Sequence, residues 1–334
     1  MFFIIAGVRW EVIKVKKRMK YILAGGMIFL FVSFLFTSYI TGSQVFKGST
    51  QLSTNEETKG VTENFWEEYD MDYDAFCKKY RIETIGITSS LDGHNIPADY
   101  IYADKLSEDK NHKTVILVHG LGGNRYTTYP IGEFFLEQGY NVLAYDQRSS
   151  NENTAEYTTF GYWEKFDLID CIDYVKMQTP DINPGIWGTS FGGATVAQAV
   201  GYEDTKEKVD FMILDCPVSS MEWMLKDTIR QMNMPIPTDY MLWCGNIFNK
   251  TKLGFVYKDA DAAKVVKDID TPALIVNTKS DKVTPYFMGK DIYDALPEGN
   301  KSIWTLEQCE HARIWKDYRE NYQTHILQLL EKVE

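Results

Sequence analysis

Ile186-Trp-Gly-Thr-Ser-Phe-Gly-Gly-Ala194 is the stretch whose reading decides the fold. An apolar run ends, glycines crowd around a serine, and a small-residue segment suited to opening a helix follows. Gly188, Ser190 and Gly192 fit G-x-S-x-G, the sharp strand-to-helix turn that lifts a serine hydroxyl into the open. A side chain at either glycine would collide with so tight a turn. Plain glycine-rich turns also match this pattern, so its weight depends on what surrounds it.

Outward from the turn, the spacing predicts a strand over 184–187 before it and a helix over 191–200 after it. On the N-terminal side, strands at 82–89 and 96–102 flank Leu91-Asp-Gly-His94, a hairpin signal that puts His94 in solvent. An almost continuous apolar run at 113–119 reads as a strand covered on both faces. A helix (128–138), a strand (141–146) and a helix (162–177) follow. On the C-terminal side come a strand (209–215), an irregular region (217–259), a strand (273–277), a helix (284–296), a strand (301–306) and a last helix. That helix, over 314–330, carries Ile314, Tyr318, Tyr322, Ile326 and Leu330 as a buried stripe. Strands alternating with helices at this spacing predict an α/β fold: a mostly parallel, eight-stranded sheet with helices on both faces. The region 217–259 interrupts it as a small cap.

In such sheets, sites form at the carboxyl ends of the strands. Ser190 follows one strand. Asp281, in Thr278-Lys-Ser-Asp-Lys-Val-Thr-Pro285, follows another, and His311, in Glu307-Gln-Cys-Glu-His311, follows the last. An alkyl hydroxyl needs a base to become a nucleophile at neutral pH, and an imidazole with a pKa near ~6.5 can take and return the proton. A carboxylate then fixes the imidazole tautomer and stabilises its cation. Ser190, Asp281 and His311 are therefore the candidate catalytic residues, with Asp215 the substitute acid. The backbone N–H groups of Phe191 and of Leu121, after His119-Gly120, are the candidate oxyanion donors. His119 is expected to shape that loop and Asp146 to order the loop above its strand. His112 and His325 are the rival histidines.

These motifs together resemble the α/β-hydrolase superfamily, from about Ile82 to the C-terminus. A closer resemblance is to a bacterial group of membrane-anchored or secreted members similar in fold to serine aminopeptidases and acyl esterases. It is carried by Tyr145-Asp-Gln-Arg148, Thr159-Phe-Gly-Tyr-Trp-Glu-Lys-Phe-Asp-Leu168 and Asp215-Cys-Pro217. That group usually follows its D-x-R motif with a His-Gly pair, where this chain has Ser149-Ser-Asn-Glu-Asn153. The resemblance places this loop at the border of the site.

Residues 21–40 are uncharged and, as a helix rising ~1.5 Å per residue, span about one hydrocarbon core of ~30 Å. Six of the 35 basic residues and one of the 47 acidic ones lie in 1–20. The positive-inside rule then makes 1–20 a cytoplasmic segment and puts the body outside. Two readings stand: a retained anchor, with the body on a single-pass protein of the cell membrane, or a cleaved signal peptide and secretion. Thr41-Gly-Ser43 is a loose cleavage site, and a start at Met19 would favour the signal. Residues 41–60 read as a flexible linker. Aromatics at helical spacing over 61–80 predict one helix packed on the hydrolase domain, which occupies 61–334.

The rest of the chain carries 29 basic against 46 acidic residues, net −17, which argues against nucleic acid as a partner. Five widely spaced cysteines without C-x-x-C suggest neither disulfides nor zinc, and no phosphate-cradling motif occurs, so no cofactor or metal is implied. The expected function is a serine hydrolase cleaving a small acyl-ester or lipid-like substrate; the Met- and aromatic-rich cap either buries its own core or forms an adaptable acyl pocket. A serine peptidase and a non-catalytic binding protein are the alternatives. The sequence carries no signal for oligomeric state.

Overall fold

In the computed structural model, residues 2–104 and 113–333 are described, with side chains from Lys14 onward. Eight strands form one sheet: β1 (Arg81–Thr88), β2 (Asn95–Tyr102), β3 (Thr114–Val118), β4 (Asn141–Tyr145), β5 (Gly185–Thr189), β6 (Phe211–Asp215), β7 (Ala273–Thr278) and β8 (Lys301–Leu306). Their spatial order is β1-β2-β4-β3-β5-β6-β7-β8. Only β2 runs antiparallel to its neighbours β1 and β4; the remaining pairs are parallel. The chain leaves β3 for β4 on one side and returns as β5 on the other. The carboxyl ends of β3 and β5 are thus neighbours at the switch point, where open α/β sheets place their ligands.

The central strands are buried on both faces because their side chains alternate between two apolar layers. Ile116 and Val118 of β3 pack with Leu168 and Ile172 of α6 (Glu164–Gln178) and with Val196 and Val200 of α7 (Phe191–Val200). Val115 and Leu117 face the other way, onto Phe135 of α5 (Tyr129–Glu137) and Tyr322 and Ile326 of the C-terminal helix Arg319–Val333. Fully burying one such aliphatic side chain is worth roughly 1.5–3 kcal/mol, which sets the register of each strand.

Five expectations change. First, residues 41–60 are not a loose linker. The N-terminal helix α1 (Phe2–Thr50) runs on to Thr50, and Val45, Phe46, Ser49 and Thr50 are buried. They pack on α9 (Thr238–Leu253), so burial overrides the weak helix propensity of the Gly, Ser and Thr in this stretch. The two helices approach closely: a Cβ on Gly42 would lie 2.7 Å from Cys244 O, and one on Gly245 2.4 Å from Val45 Cγ1. A short helix, α2 (Asn55–Gly60), follows, with a capping box between Thr54 and Glu57.

Second, residues 61–80 form two helices, α3 (Thr62–Glu68) and α4 (Tyr73–Lys79), rather than one. Asp70 takes a left-handed conformation with φ 53°, and Asp72 caps α4 by accepting from Ala75 N at 2.9 Å. Third, the last helix breaks at Tyr318 into α12 (Ile314–Asp317) and α13 (Arg319–Val333). Tyr318 turns outward and its hydroxyl donates to Gln308 O, leaving the stripe predicted for it. Fourth, the cap is helical, built from α8 (Met221–Gln231) and α9. Its base is pinned where Met221 N donates to Ala260 O and Ala262 N to Ser219 O, just before α10 (Ala262–Val265). Helix α11 (Phe287–Ala295) covers β7 beside it. Fifth, His94 is not in open solvent: its side chain is 12% exposed, wedged between Asp92 and Asp167.

Residues 21–40 lie within α1 and bury almost nothing against the rest of the protein. This helix is long and apolar enough to cross a membrane.

Candidate active site

Strand β5 ends at Thr189 and α7 begins at Phe191, leaving Ser190 alone at the turn with φ 55° and ψ −116°. A non-glycine residue here is strained by order 1–3 kcal/mol, a cost the surrounding packing must hold in place. The packing is close: a Cβ on Gly192 would lie 2.3 Å from Val118 O, and one on Gly188 2.7 Å from Gly192 O. Both glycines of the motif are therefore required by backbone approach, as the tight turn implies.

His311, after β8, directs Nε2 at Ser190 Oγ across 2.9 Å, and its Nδ1 lies 2.7 Å from Asp281 Oδ2, after β7. An ionised carboxylate only accepts, so the ring proton sits on Nδ1 and Nε2 accepts from the serine hydroxyl. Asp281 Oδ1 accepts from Val283 N at 2.8 Å and Thr284 N at 2.9 Å. Burial opposes ionisation of Asp281. The hydrogen bond and charge of His311 and the two backbone donors outweigh it and hold the carboxyl below its ordinary range.

Thr284 was not singled out by sequence reasoning. Its hydroxyl lies 3.0 Å from Cys216 O and 3.1 Å from Asp281 Oδ2. The spacing Asp281-x-x-Thr284, an acid followed at turn distance by a hydroxyl, was the available signal.

Asp215, the substitute acid, ends β6 and is buried; it makes no hydrogen bond to His311 in this arrangement, and its Oδ1 has no partner among the described residues. Burial pushes its carboxyl up to about 6. Cys216 Sγ, an Asp281 oxygen and a His311 nitrogen lie within 4.8 Å of one another. A metal there would have to break the His311–Asp281 hydrogen bond, and burial holds the Cys216 thiol well above its ordinary pKa.

The loop after β3 stands against Ser190. His119 Nδ1 donates to Gly120 O at 2.7 Å, its Nε2 accepts from Gln147 N at 2.9 Å, and Gly123 N donates to Gly120 O at 3.1 Å. His119 is thus a neutral brace, pushed down to about 4 by burial. Asp146 accepts from Arg125 N and from Asn151 Nδ2, each at 2.9 Å, which orders the loop above β4. The loop 149–153 does not line the cavity at Ser190. It is buried beneath α2, where Asn55 Nδ2 donates to Asn151 O and Asn153 O. His325 sits on α13 stacked on Trp304, and His112 lies outside the described residues.

Beside Ser190 opens a mostly apolar cavity of about 310 Å³. Leu121 and Gly122 form one wall, Ile131 and Trp315 another, and Phe65 and Tyr69 of the N-terminal segment a third. No residue of 217–259 lines it, which corrects the reading of the cap as acyl pocket. The cap's apolar side chains instead pack on one another and on Val45 and Phe46 of α1. The segment 61–80, read as packing alone, supplies a cavity wall.

A family model described as alpha/beta hydrolase fold matches residues 113–250, and the sheet order and the turn at Ser190 accord with it. The chain has the alpha/beta hydrolase fold. Among its relatives, the uncharacterized protein YqkD of Bacillus subtilis (strain 168) is 26% identical over 242 residues, 71% of this chain and 78% of YqkD. The lysophosphatidylserine lipase ABHD12 of Mus musculus is 23% identical, covering 58% of this chain and 47% of that one. Among solved α/β-hydrolases, an esterase of Pyrococcus furiosus superposes with a TM-score of 0.59 at 19% identity, over 76% of this chain and 91% of the esterase. An acylaminoacyl peptidase of Pyrococcus horikoshii gives 0.57 at 15% identity, over 78% of this chain and 44% of the peptidase. Identities this low establish the shared fold.

Proposed function

We propose that this protein is a serine hydrolase cleaving carboxylic esters through an acyl-enzyme on Ser190. The observation that carries the reading is the hydrogen-bonded chain Ser190–His311–Asp281 at the edge of an apolar cavity. His311 Nε2 takes the hydroxyl proton as Ser190 Oγ attacks the ester carbonyl. Asp281 stabilises the imidazolium through Nδ1. The oxyanion is received by the N–H of Phe191 and that of Leu121. Phe191 is the first residue of α7, so its N–H has no acceptor within the helix. One such donor is typically worth about 3 kcal/mol in the transition state. His311 then returns the proton to the leaving alkoxide, and water repeats the cycle to release the acid.

Ligand pockets run from roughly 300 to 1,000 Å³, so this cavity is at the small end and favours short to medium acyl groups. A nitrophenyl ester series of increasing chain length tests this on the purified protein. Turnover of none of them would remove the esterase reading, and faster cleavage of aminoacyl amides would replace it with the peptidase. A fluorophosphonate probe that fails to label Ser190 would leave only the non-catalytic reading.

The reading includes a retained anchor rather than a cleaved signal. Thr41-Gly-Ser43 lies inside α1, with Gly42 against α9, so cleavage there would first require an ordered helix to unwind. Polyacrylamide mobility and N-terminal sequencing of membrane-extracted protein check this; a mature N-terminus near residue 44 would overturn it.

A further inference from the structure

Several apolar residues of the cap are exposed on, or just before, the helix that packs beside α1. Met232, Met234, Trp243 and Ile247 are between 46% and 59% exposed. From residue 231 to residue 249 the only charged side chain is Asp239, which pairs with Lys226 Nζ at 2.6 Å. Trp243 and Ile247 are one turn apart on the outer face of α9, opposite the buried Met241 and Leu242. Lys250 and Lys252 follow, both exposed, toward the C-terminal end of the same helix.

The direction of α9 sets where this surface lies. Tyr240 packs on Phe34 with ring centroids 6.0 Å apart, and its hydroxyl is 2.6 Å from Ser38 Oγ. Farther along, Phe248 meets Phe46, and Tyr257, just past α9, meets Ser49. Helix α9 therefore runs parallel to α1, and its N-terminal end points toward the apolar run. At ~1.5 Å per residue, Phe34 lies about 9 Å inside the end of the apolar run at Ile40. The loop Met232-Asn-Met-Pro-Ile-Pro237 leads directly into this end of α9.

We propose that the outer face of α9 and the 232–237 loop are immersed in the lipid leaflet that α1 crosses, with Lys250 and Lys252 at its headgroups. The order from the loop 232–237, past the Asp239–Lys226 ion pair, through Tyr240 and Trp243 to the lysines matches the passage from acyl chains through the aromatic belt to the polar surface. Nothing among the described residues covers this exposed apolar surface. The inference rests on α1 being a retained membrane anchor.

The test uses the full chain reconstituted in vesicles of phosphatidylcholine and phosphatidylglycerol, with Cys77 and Cys309 replaced by serine. An environment-sensitive fluorophore is placed in turn at Phe29→Cys, Met234→Cys, Ile247→Cys and Glu203→Cys. Residue 203 follows α7, at the end of the sheet away from the cap. Thermal melts confirm that each labelled protein is folded. Spin-labelled lipids should quench residues 29, 234 and 247 several-fold more than 203, and aqueous iodide should do the reverse. Protection at 29 with iodide access at 234 and 247 equal to that at 203 overturns the proposal and spares the anchor. Iodide access at 29 as well overturns both.

Discussion

Thr284 Oγ1 stands 3.1 Å from His311 Nδ1, the ring nitrogen facing away from Ser190. It therefore touches both members of the acid–base pair while its own proton is directed at Cys216 O or Asp281 Oδ2. A single hydroxyl ties the β7 loop, the β6 loop and the imidazole together. Thr284→Val keeps the shape and removes that tie. We expect kcat to fall about 10-fold to 100-fold, roughly 1.4–2.7 kcal/mol, with KM nearly unchanged. Thr284→Ser should restore most of it. Ester kinetics on the three proteins decide, and an unchanged kcat in the valine variant would assign Thr284 a purely structural place.

Ser190→Ala should abolish ester turnover, with a loss on the order of 10⁶ by comparison with a well-studied serine protease. Asp281→Asn should cost about 10⁴ in kcat by presenting the wrong imidazole tautomer. Both are read as initial rates on a nitrophenyl ester with folding checked by circular dichroism. Wild-type rates in Asp281→Asn would transfer the acid's part to Asp215.

Phe65→Ala should enlarge the cavity on the side supplied by the N-terminal segment. The preferred acyl chain should lengthen, seen as a rise in relative kcat/KM for longer esters. A profile identical to wild type would mean the acyl group binds elsewhere.

The pH dependence of stability has two opposed contributions. Burial lifts the Asp215 carboxyl to about 6, above the unfolded value near ~3.9. Below the lower value both states hold the proton. Between the two, the unfolded chain releases it first, so stability falls as pH rises, and the penalty is complete above about 6. Asp215→Asn should therefore stabilise the protein at pH 8, by roughly 1–3 kcal/mol, and hardly at all at pH 4. For Asp281, held below its ordinary range, the contribution is present above the unfolded pKa and is lost as pH falls through the folded one. Urea melts at both pH values read the difference; equal effects of Asp215→Asn at the two would show that Asp215 ionises normally.

Gly42→Val should pry α1 from α9, because the new side chain meets Cys244 O and the Phe248 ring. Overpacking of this kind costs about 1–3 kcal/mol. Gly48→Ala, with open space around it, should be neutral or mildly stabilising. Limited proteolysis of the cap measures both; equal resistance in the two variants would mean that the crossing contributes little.

The strand–helix alternation was legible because a buried strand such as β3 is an unbroken apolar run and a covering helix such as α11 has its own period. Ser190, Asp281 and His311 could be picked out because each closes a strand, and strand ends share one rim. The remaining features depend on partners distant in the chain. Residues 41–50 look like a linker until Cys244 and Phe248 are laid against Gly42. Phe65 and Tyr69 have helical spacing, and nothing in that spacing says that they face Ser190. The cap's methionines and tryptophans have the composition of a ligand pocket, but composition carries no direction: Met221 and Met241 turn inward toward the cap's core, and Met232, Met234 and Trp243 turn outward.

Helix α1 runs from Phe2 to Thr50 and ends within the cap's own core. A loose tether of twenty residues would have let the body wander over about 25 Å. A rod leaves it almost no freedom to roam or tumble. Access to Ser190 then becomes a question of attitude: whatever arrives must come along the one bearing that the rod allows, and a twist or shift in α1 would re-aim the whole body at once.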